Sequence, residues 1–363
     1  MFRPNCRPIL IGSLPLLSHA EALRLILTHS PDIPLWPQLP KNPREGMIRQ
    51  FLSGFPGLVD DGKRYWINNK HPGFAGEMTA FYEEYLETAD TADTHDSPRF
   101  SLGSDSAAGF FTLLDFLKKH TQTPPLTVKG QITGPVTVGI GVKEANGKAI
   151  FHDDNLRDML IKLLSRKAAW QVRRLQPFTA SVPPIIFIDE PGLVSFGSSG
   201  FSGVSREMAS QAVAEVTAAI KDAGGLAGLH ICANGDWGPA LDSGTDIISF
   251  DAYSYFDNFI LYEKALATFL GRGGILAWGI VPTGDPAAVA AESVHSLLQK
   301  WLVQLARLAT YGISERQLMS QTLIAPSCGT GSLSPELAVK VLTMTGELSR
   351  LARAHLRQTA AIS

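Results

Sequence analysis

The chain has 363 residues, 45% of them hydrophobic, with 33 Gly and 23 Pro, enough for a sizeable core in one large α/β barrel or two ordinary domains. A net charge of −2, a pI of about 6.5 and the lack of a basic tract exclude an electrostatic footprint for nucleic acid or an anionic membrane. Three cysteines are too few for a disulfide scaffold, which points to a reducing cytoplasmic setting. The apolar start is broken by Gly12, Ser13 and Pro15, and no run is long enough to span a bilayer.

Short apolar runs recur along the chain, each ending in a polar or Gly/Pro turn. In order they are ILIGS near 9–13, IPLWPQ at 33–38, LTVKGQIT at 126–133 and IIFIDE at 185–190. LAGLHIC at 226–232, DIISFDA at 246–252, GILAWGI at 274–280 and TLIAPSC at 322–328 follow. Near-continuous apolar runs are what parallel strands buried on both faces require. The interval between the second and third runs predicts an insertion at about 50–120. It carries a hairpin over FPGLVDDGKRYWI with Asp61-Gly62 in the turn, and helices around 75–88 and 105–119. THDSPR at 94–99 reads as a polar loop.

Between the later runs the spacing becomes helical. Asp153 and Asp154 are placed to cap a helix whose apolar stripe is Leu156, Met159, Leu160, Leu163, Leu164, Ala168, Val172 and Leu175. GSSGFSG at 197–203 is a flexible loop after the fourth run, either a lid or an ordinary solvated loop. REMASQAVAEVTAAIKDAGG predicts a helix stopped by Gly224-Gly225, and SPELAVKVLTMTGELSRLARAHL is the last helix. Eight strands with interleaved helices predict a single (β/α)8 barrel over residues 1–363, with the insertion between its second and third strands.

In such barrels functional residues gather at the C-terminal ends of the strands. Polar residues fall there repeatedly: Ser13, Gln38, Gln131, Asp189-Glu190, His230-x-Cys232, Asp251 and Cys328. His230 and Cys232 are one residue apart on a strand and so point to the same side. With a distant Cys328 closing the site, they form a metal site, with zinc first on ligand type. A lone strand cysteine is more often a small buried hydrophobe, which is the reading for Cys6. Of nine His and three Cys, only His230, Cys232 and Cys328 stand at predicted strand ends. Asp189-Glu190-Pro191 places two acids where burial without purpose is costly, and the alternative is a helix N-cap.

At these residues the chain resembles the cobalamin-independent methionine synthases and the methylcobalamin:coenzyme M methyltransferases, among the uroporphyrinogen decarboxylase-like barrels. The matching segments are ILIGSLP at 9–15, GQITGPVT at 130–137, FIDEPGL at 187–193, LHICAN at 229–234 and PSCGTGSLS at 326–334. They come in family order and span nearly the whole chain, and HIC with the later SCG is the specific part. The resemblance implies a zinc-dependent thiol methyltransferase with His230, Cys232 and Cys328 as ligands. Where the synthases supply a glutamate after the His-x-Cys strand, this chain has the shorter Asp251. Ser13 and Asp189 match the residues that hold the amino acid part of homocysteine. Glu190 and Gln131, in the same motifs, are assigned to substrate binding as well.

The acceptor is then a small thiol such as homocysteine or coenzyme M, and the leading donor is a corrinoid, free or on a carrier protein. The chain shows no counterpart to the N-terminal half of the folate-dependent synthases. After ITGPVT it reads VGIGVKEANGK, without their pterin-facing Trp. Both differences count against a folate. The insertion and the loop at 197–203 would form a rim for a docking carrier. The competing readings are a folate-dependent methionine synthase core, a metal-free decarboxylase of porphyrinogen-like tetrapyrroles, and a non-catalytic zinc-binding accessory of a corrinoid system.

Overall fold

A computed structural model describes residues 2–90, 97–195 and 203–362. The six later apolar runs all form strands: β4 (Lys129–Thr133), β5 (Ile185–Asp189), β6 (Leu226–Ile231), β7 (Ile247–Phe250), β8 (Ile275–Val281) and β9 (Thr322–Pro326). Every residue of β4, β5, β7, β8 and β9 is buried, as expected for strands covered on both faces. A short β1 (Arg7–Pro8) joins β9, and the parallel order across the sheet is β1-β9-β8-β7-β6-β5-β4. The first strand beside the last is the mark of a sheet that curls back on itself.

The sheet has seven strands among the described residues and is not the closed eight-stranded barrel that the sequence pattern predicts. The run at 33–38 forms no ladder. Pro34 and Pro37 have no N–H to give, so regular pairing fails there. The segment instead makes isolated parallel bridges, Leu35 to Lys129 on one side and Gln38 to Ser13 on the other. The Lys129 N–H donates to Pro34 O at 2.8 Å, and the Gln38 N–H donates to Gly12 O at 3.1 Å. The opening between β1 and β4 is thus spanned by an irregular strip. The expected first strand is also displaced: its ladder covers Arg7–Pro8, and Gly12 at φ +148° turns the chain away beyond it.

The helix behind β4 and β5 runs Asp154–Leu175. Asp153 caps it, accepting from the N–H groups of Asn155 and Leu156 at 3.0 Å, and all eight stripe residues are buried. The helix Arg206–Asp222 packs beside it and ends at Gly224, φ +85°. The last helix runs Pro335–Ile362, beyond the expected end.

The insertion contains the antiparallel hairpin β2 (Leu58–Asp60) and β3 (Tyr65–Ile67), paired Val59 to Trp66, and the helices Phe74–Asp90 and Ala108–Lys119. Its phenylalanines 51, 55, 81, 100 and 110 share one buried cluster with Trp36 and Trp170. The Lys167 Nζ reaches into the insertion as well, donating to Ser53 Oγ at 2.9 Å and Ser101 O at 2.8 Å. Each buried aromatic is worth roughly 1.5–3 kcal/mol, so the apolar cluster, not the lysine tether, holds the insertion on the barrel.

Inside the sheet, Ile9, Ile33, Ile185, Phe187, Ile247, Ile275 and Leu323 fill the end nearest the strand N-termini. That plug leaves the other end of the interior free for polar side chains. The loop at 197–203 lies outside the described residues apart from Gly203, as do residues 94–96 of the loop at 94–99. No helix among the described residues is long and apolar enough to cross a membrane.

Candidate metal centre

Strand register builds the centre. Asp189 pairs with His230 across β5 and β6, and His230 with Ser249 across β6 and β7. His230 Nδ1 meets Ser249 Oγ at 2.9 Å, which turns Nε2 away from that neighbour. Cys232 follows two residues later, on the same side by strand alternation. Cys328 comes from the turn after β9. Its neighbour Ser327 pins that turn: the Ser327 N–H donates to Val281 O at 2.8 Å, and its Oγ accepts from the Thr283 N–H at 3.1 Å.

One ligand atom each from His230, Cys232 and Cys328 lies within 4.8 Å of the others, the only such group among the described residues. His230 Nε2 is buried without a hydrogen-bond partner. An orphaned buried nitrogen costs about 1–3 kcal/mol unless something bonds it. An ion held jointly with two soft sulfurs would remove that cost, and a His-Cys-Cys set with a free fourth position suits zinc. The residues present therefore fit the metal.

The two thiols are unequal. Cys328 beside it, then the His230 imidazole, hold the Cys232 thiol well below the usual range against the opposing effect of burial. The same partnership with Cys232, added to burial, pushes Cys328 up.

A cavity of about 370 Å³ opens over this group. His230, Cys232 and Cys328 lie in its wall with Ser13, Gln38, Glu45, Met47 and Asp189. Asp189 is buried and its Oδ1 has no partner. Burial raises its carboxyl, while the charges of Lys129 and His230 oppose that shift. Ser13 Oγ accepts from the Gly331 N–H at 3.3 Å. A Cβ on Gly329 would stand 2.0 Å from that hydroxyl, so any larger residue there would displace it.

Three sequence candidates stand elsewhere. Asp251 is outside the three-ligand group; it caps the helix Ala252–Phe259, accepting from the Ser254 N–H at 2.9 Å. Glu190 is fully buried and turned to the helix Pro135–Gly141. It accepts from the N–H groups of Val136 at 2.9 Å and Thr137 at 2.7 Å, and bonds the Thr137 hydroxyl. Glu190 thus serves the first N–H groups of a helix from another motif instead of capping the turn that follows it. Gln131 donates through Nε2 to Trp36 O at 2.9 Å and accepts from Lys129 Nζ at 3.3 Å, below the cavity wall.

Two residues escape the sequence pattern. Lys129 is fully buried, with Nζ donating to Ile11 O at 2.6 Å and lying 4.6 Å from the centre of the Phe187 ring. Burial pulls its ammonium down to about 8 against the attraction of Asp189. A charge inside the apolar run LTVKGQIT was the available signal. Glu45, on the loop that leads into the insertion, has only the helix-start pattern Asn42-Pro43-x-Glu45 to mark it.

The fold and site define a class: an α/β protein with a curled parallel sheet and a His-Cys-Cys group at the strand ends. No family model and no curated protein matches the chain in sequence. Among solved structures it is similar to a methyltransferase from Methanosarcina mazei, with 17% identity and a TM-score of 0.45. The likeness covers 68% of this chain and 65% of the other, under two thirds of that neighbour's length. A likeness this distant leaves the function to be argued from the site itself.

Proposed function

We propose that the chain is a zinc-dependent enzyme that moves a methyl group from a corrinoid, free or on a carrier protein, to a small thiol. The observation that carries this reading is the three-ligand group in the wall of a cavity of about 370 Å³. A purely structural zinc site is closed by protein ligands, whereas three ligands facing a cavity leave a position for substrate.

When bound, zinc would strip the acceptor thiol of its proton and keep the sulfur as a reactive thiolate. The chain's own residues shape the rest. Ser249 orients the His230 ring from behind. Asp189, with its unpartnered Oδ1 at the cavity wall, takes a cationic group of the acceptor. Ile11, Pro40, Met47 and Pro191 give the wall an apolar part for a short methylene chain. The cavity is of small-ligand size, so a corrinoid would meet the mouth instead of entering.

The test combines metal analysis with donor choice. About one zinc per chain is expected, lowered in Cys232→Ser and Cys328→Ser with loss of transfer. The zinc-loaded protein should demethylate methylcobalamin in the presence of a thiol, followed by the cobalt–methyl spectrum, and do little with methyltetrahydrofolate. Full zinc occupancy in both variants would sink the metal assignment. Turnover with the folate alone would replace the donor.

A further inference from the structure

Lys167 is fully buried, and no carboxylate acts on it; burial alone pulls its ammonium down to about 7. A lone buried ammonium is costly, and lysines held in this way are suited to act as bases. Its Nζ meets two groups of the insertion, Ser53 Oγ at 2.9 Å and Ser101 O at 2.8 Å. Ser53 itself stands at the surface. A buried amine thus bonds the hydroxyl of a residue that solutes can reach, which is the pairing a Ser-Lys nucleophile requires.

The turn that carries Ser53 is fixed. The Phe55 N–H donates to Leu52 O at 3.0 Å, and Gly54 at φ +87° gives it type II geometry. Arg99 clamps the turn: Nη1 donates to Gly54 O at 2.6 Å, and Nε pairs with Glu84 Oε2 at 2.6 Å. A Cβ on Gly54 would stand 2.8 Å from Arg99 O. The turn's own bond uses neither the Ser53 nor the Gly54 N–H. Two amide donors therefore stand beside the hydroxyl for a developing oxyanion.

We propose that Ser53 and Lys167 form a second catalytic site, in which Ser53 attacks a small activated acyl donor such as an aryl ester or a thioester. Neither residue lines the cavity over the metal centre, and the proposal does not depend on the thiol reading. Neutral Lys167 keeps one N–H on Ser101 O and takes the Ser53 proton on its lone pair. Ser53 Oγ bonds to the acyl carbon, and the bond from that carbon to the leaving group breaks. The leaving group departs with the electron pair and receives the proton from the Lys167 ammonium. Water then attacks the acyl-serine with Lys167 again as base, which restores the Ser53 hydroxyl and releases the carboxylic acid. The net reaction is hydrolysis and needs no other reactant. The charged groups beside the pair are Arg99, bonded to Glu84, and Arg166, whose guanidinium lies 4.3 Å from the centre of the Tyr85 ring.

The experiment treats the full chain with 4-nitrophenyl acetate and locates the acetyl group by peptide mass spectrometry. Location is needed because the cavity thiols also attack the ester. In the wild type, Ser53 should be acetylated far faster than Ser314, an exposed serine whose hydroxyl has no lysine on it. The Ser53 rate should rise with pH through a midpoint near 7, where Lys167 becomes neutral. Lys167→Met should slow Ser53 acetylation by roughly 10²-fold, in the range a general base supplies, and remove that midpoint. Ser53→Ala should lose the acetyl from this peptide and leave zinc content unchanged. Acetylation of Ser53 at the wild-type rate in Lys167→Met would overturn the pairing. If Lys167→Met fails to fold, the wild type decides alone: equal rates at Ser53 and Ser314 would overturn the proposal.

Discussion

His230 and Ser249 stand opposite each other on β6 and β7, with Nδ1 and Oγ 2.9 Å apart, while His230 Nε2 remains buried and unpartnered. This fixes which imidazole nitrogen faces the two cysteines. A hydroxyl in this place holds the ring in position and leaves Nε2 facing the two cysteines.

Ser249→Ala should therefore keep the fold and weaken zinc binding by about 10- to 100-fold, the usual effect of losing an outer partner of a ligating histidine. Competition with a chromophoric chelator measures it. Unchanged affinity would mean that packing alone orients the ring.

Asp251→Ala separates a ligand from a cap. The carboxylate caps the helix Ala252–Phe259, and its own pKa is raised by burial, with hydrogen bonds from Ser254 opposing. Zinc content should stay at the wild-type level, and stability should fall by about 1 kcal/mol, as for other lost caps. Denaturant midpoints and metal analysis on one preparation give both numbers. Loss of zinc would return Asp251 to the ligand set.

Glu190 joins two motifs that look separate along the chain. Its carboxylate holds the N-terminus of the helix Pro135–Gly141, and the Gly192 N–H donates to Thr137 Oγ1 at 2.8 Å in return. A Cβ on Gly134 would stand 2.1 Å from Glu190 Oε2. Glu190→Ala should cost at least about 2 kcal/mol, because two buried N–H groups lose their acceptor. Glu190→Gln should cost less, and neither should change zinc stoichiometry. Zinc loss in Glu190→Gln would instead tie this residue to the metal.

Much of this was legible before the structure. Parallel strands advertise themselves as apolar runs, and strand alternation alone put His230 and Cys232 on one side. Cys328, far along the chain, joins them in the structure within 4.8 Å. Three features were not legible. Pro34 and Pro37 occur in a run whose composition says strand, and only the missing N–H groups reveal that its ladder fails. The acids at 189 and 190 are adjacent, so alternation sends them to opposite sides, and their destinations depend on a helix from another motif. Glu45 and His19 meet through a loop that follows no periodic rule, and such contacts are set by tertiary packing.

Lys167 offers a test of the core by pH. It is fully buried, bonded to Ser53 and Ser101, and burial pulls its ammonium down to about 7. In the unfolded chain a lysine titrates near 10.4. Between these values the unfolded state binds the extra proton, so stability must rise with pH across that window. Below about 7 the ammonium is charged in both states, and the penalty for burying it is constant. Above the unfolded value both states are neutral and the rise ends. Tyrosines and thiols also titrate in alkali, so the comparison must be with a variant that lacks only this group. Lys167→Met keeps the length and removes the charge. Urea midpoints of both proteins at pH 6.5, 8 and 9.5, values chosen to bracket that window, should show the wild type gaining on the variant. The gain should total a few kcal/mol, whatever the offset from the lost hydrogen bonds to Ser53 and Ser101. Parallel curves across that range would show that the lysine keeps its ordinary affinity for the proton inside the fold.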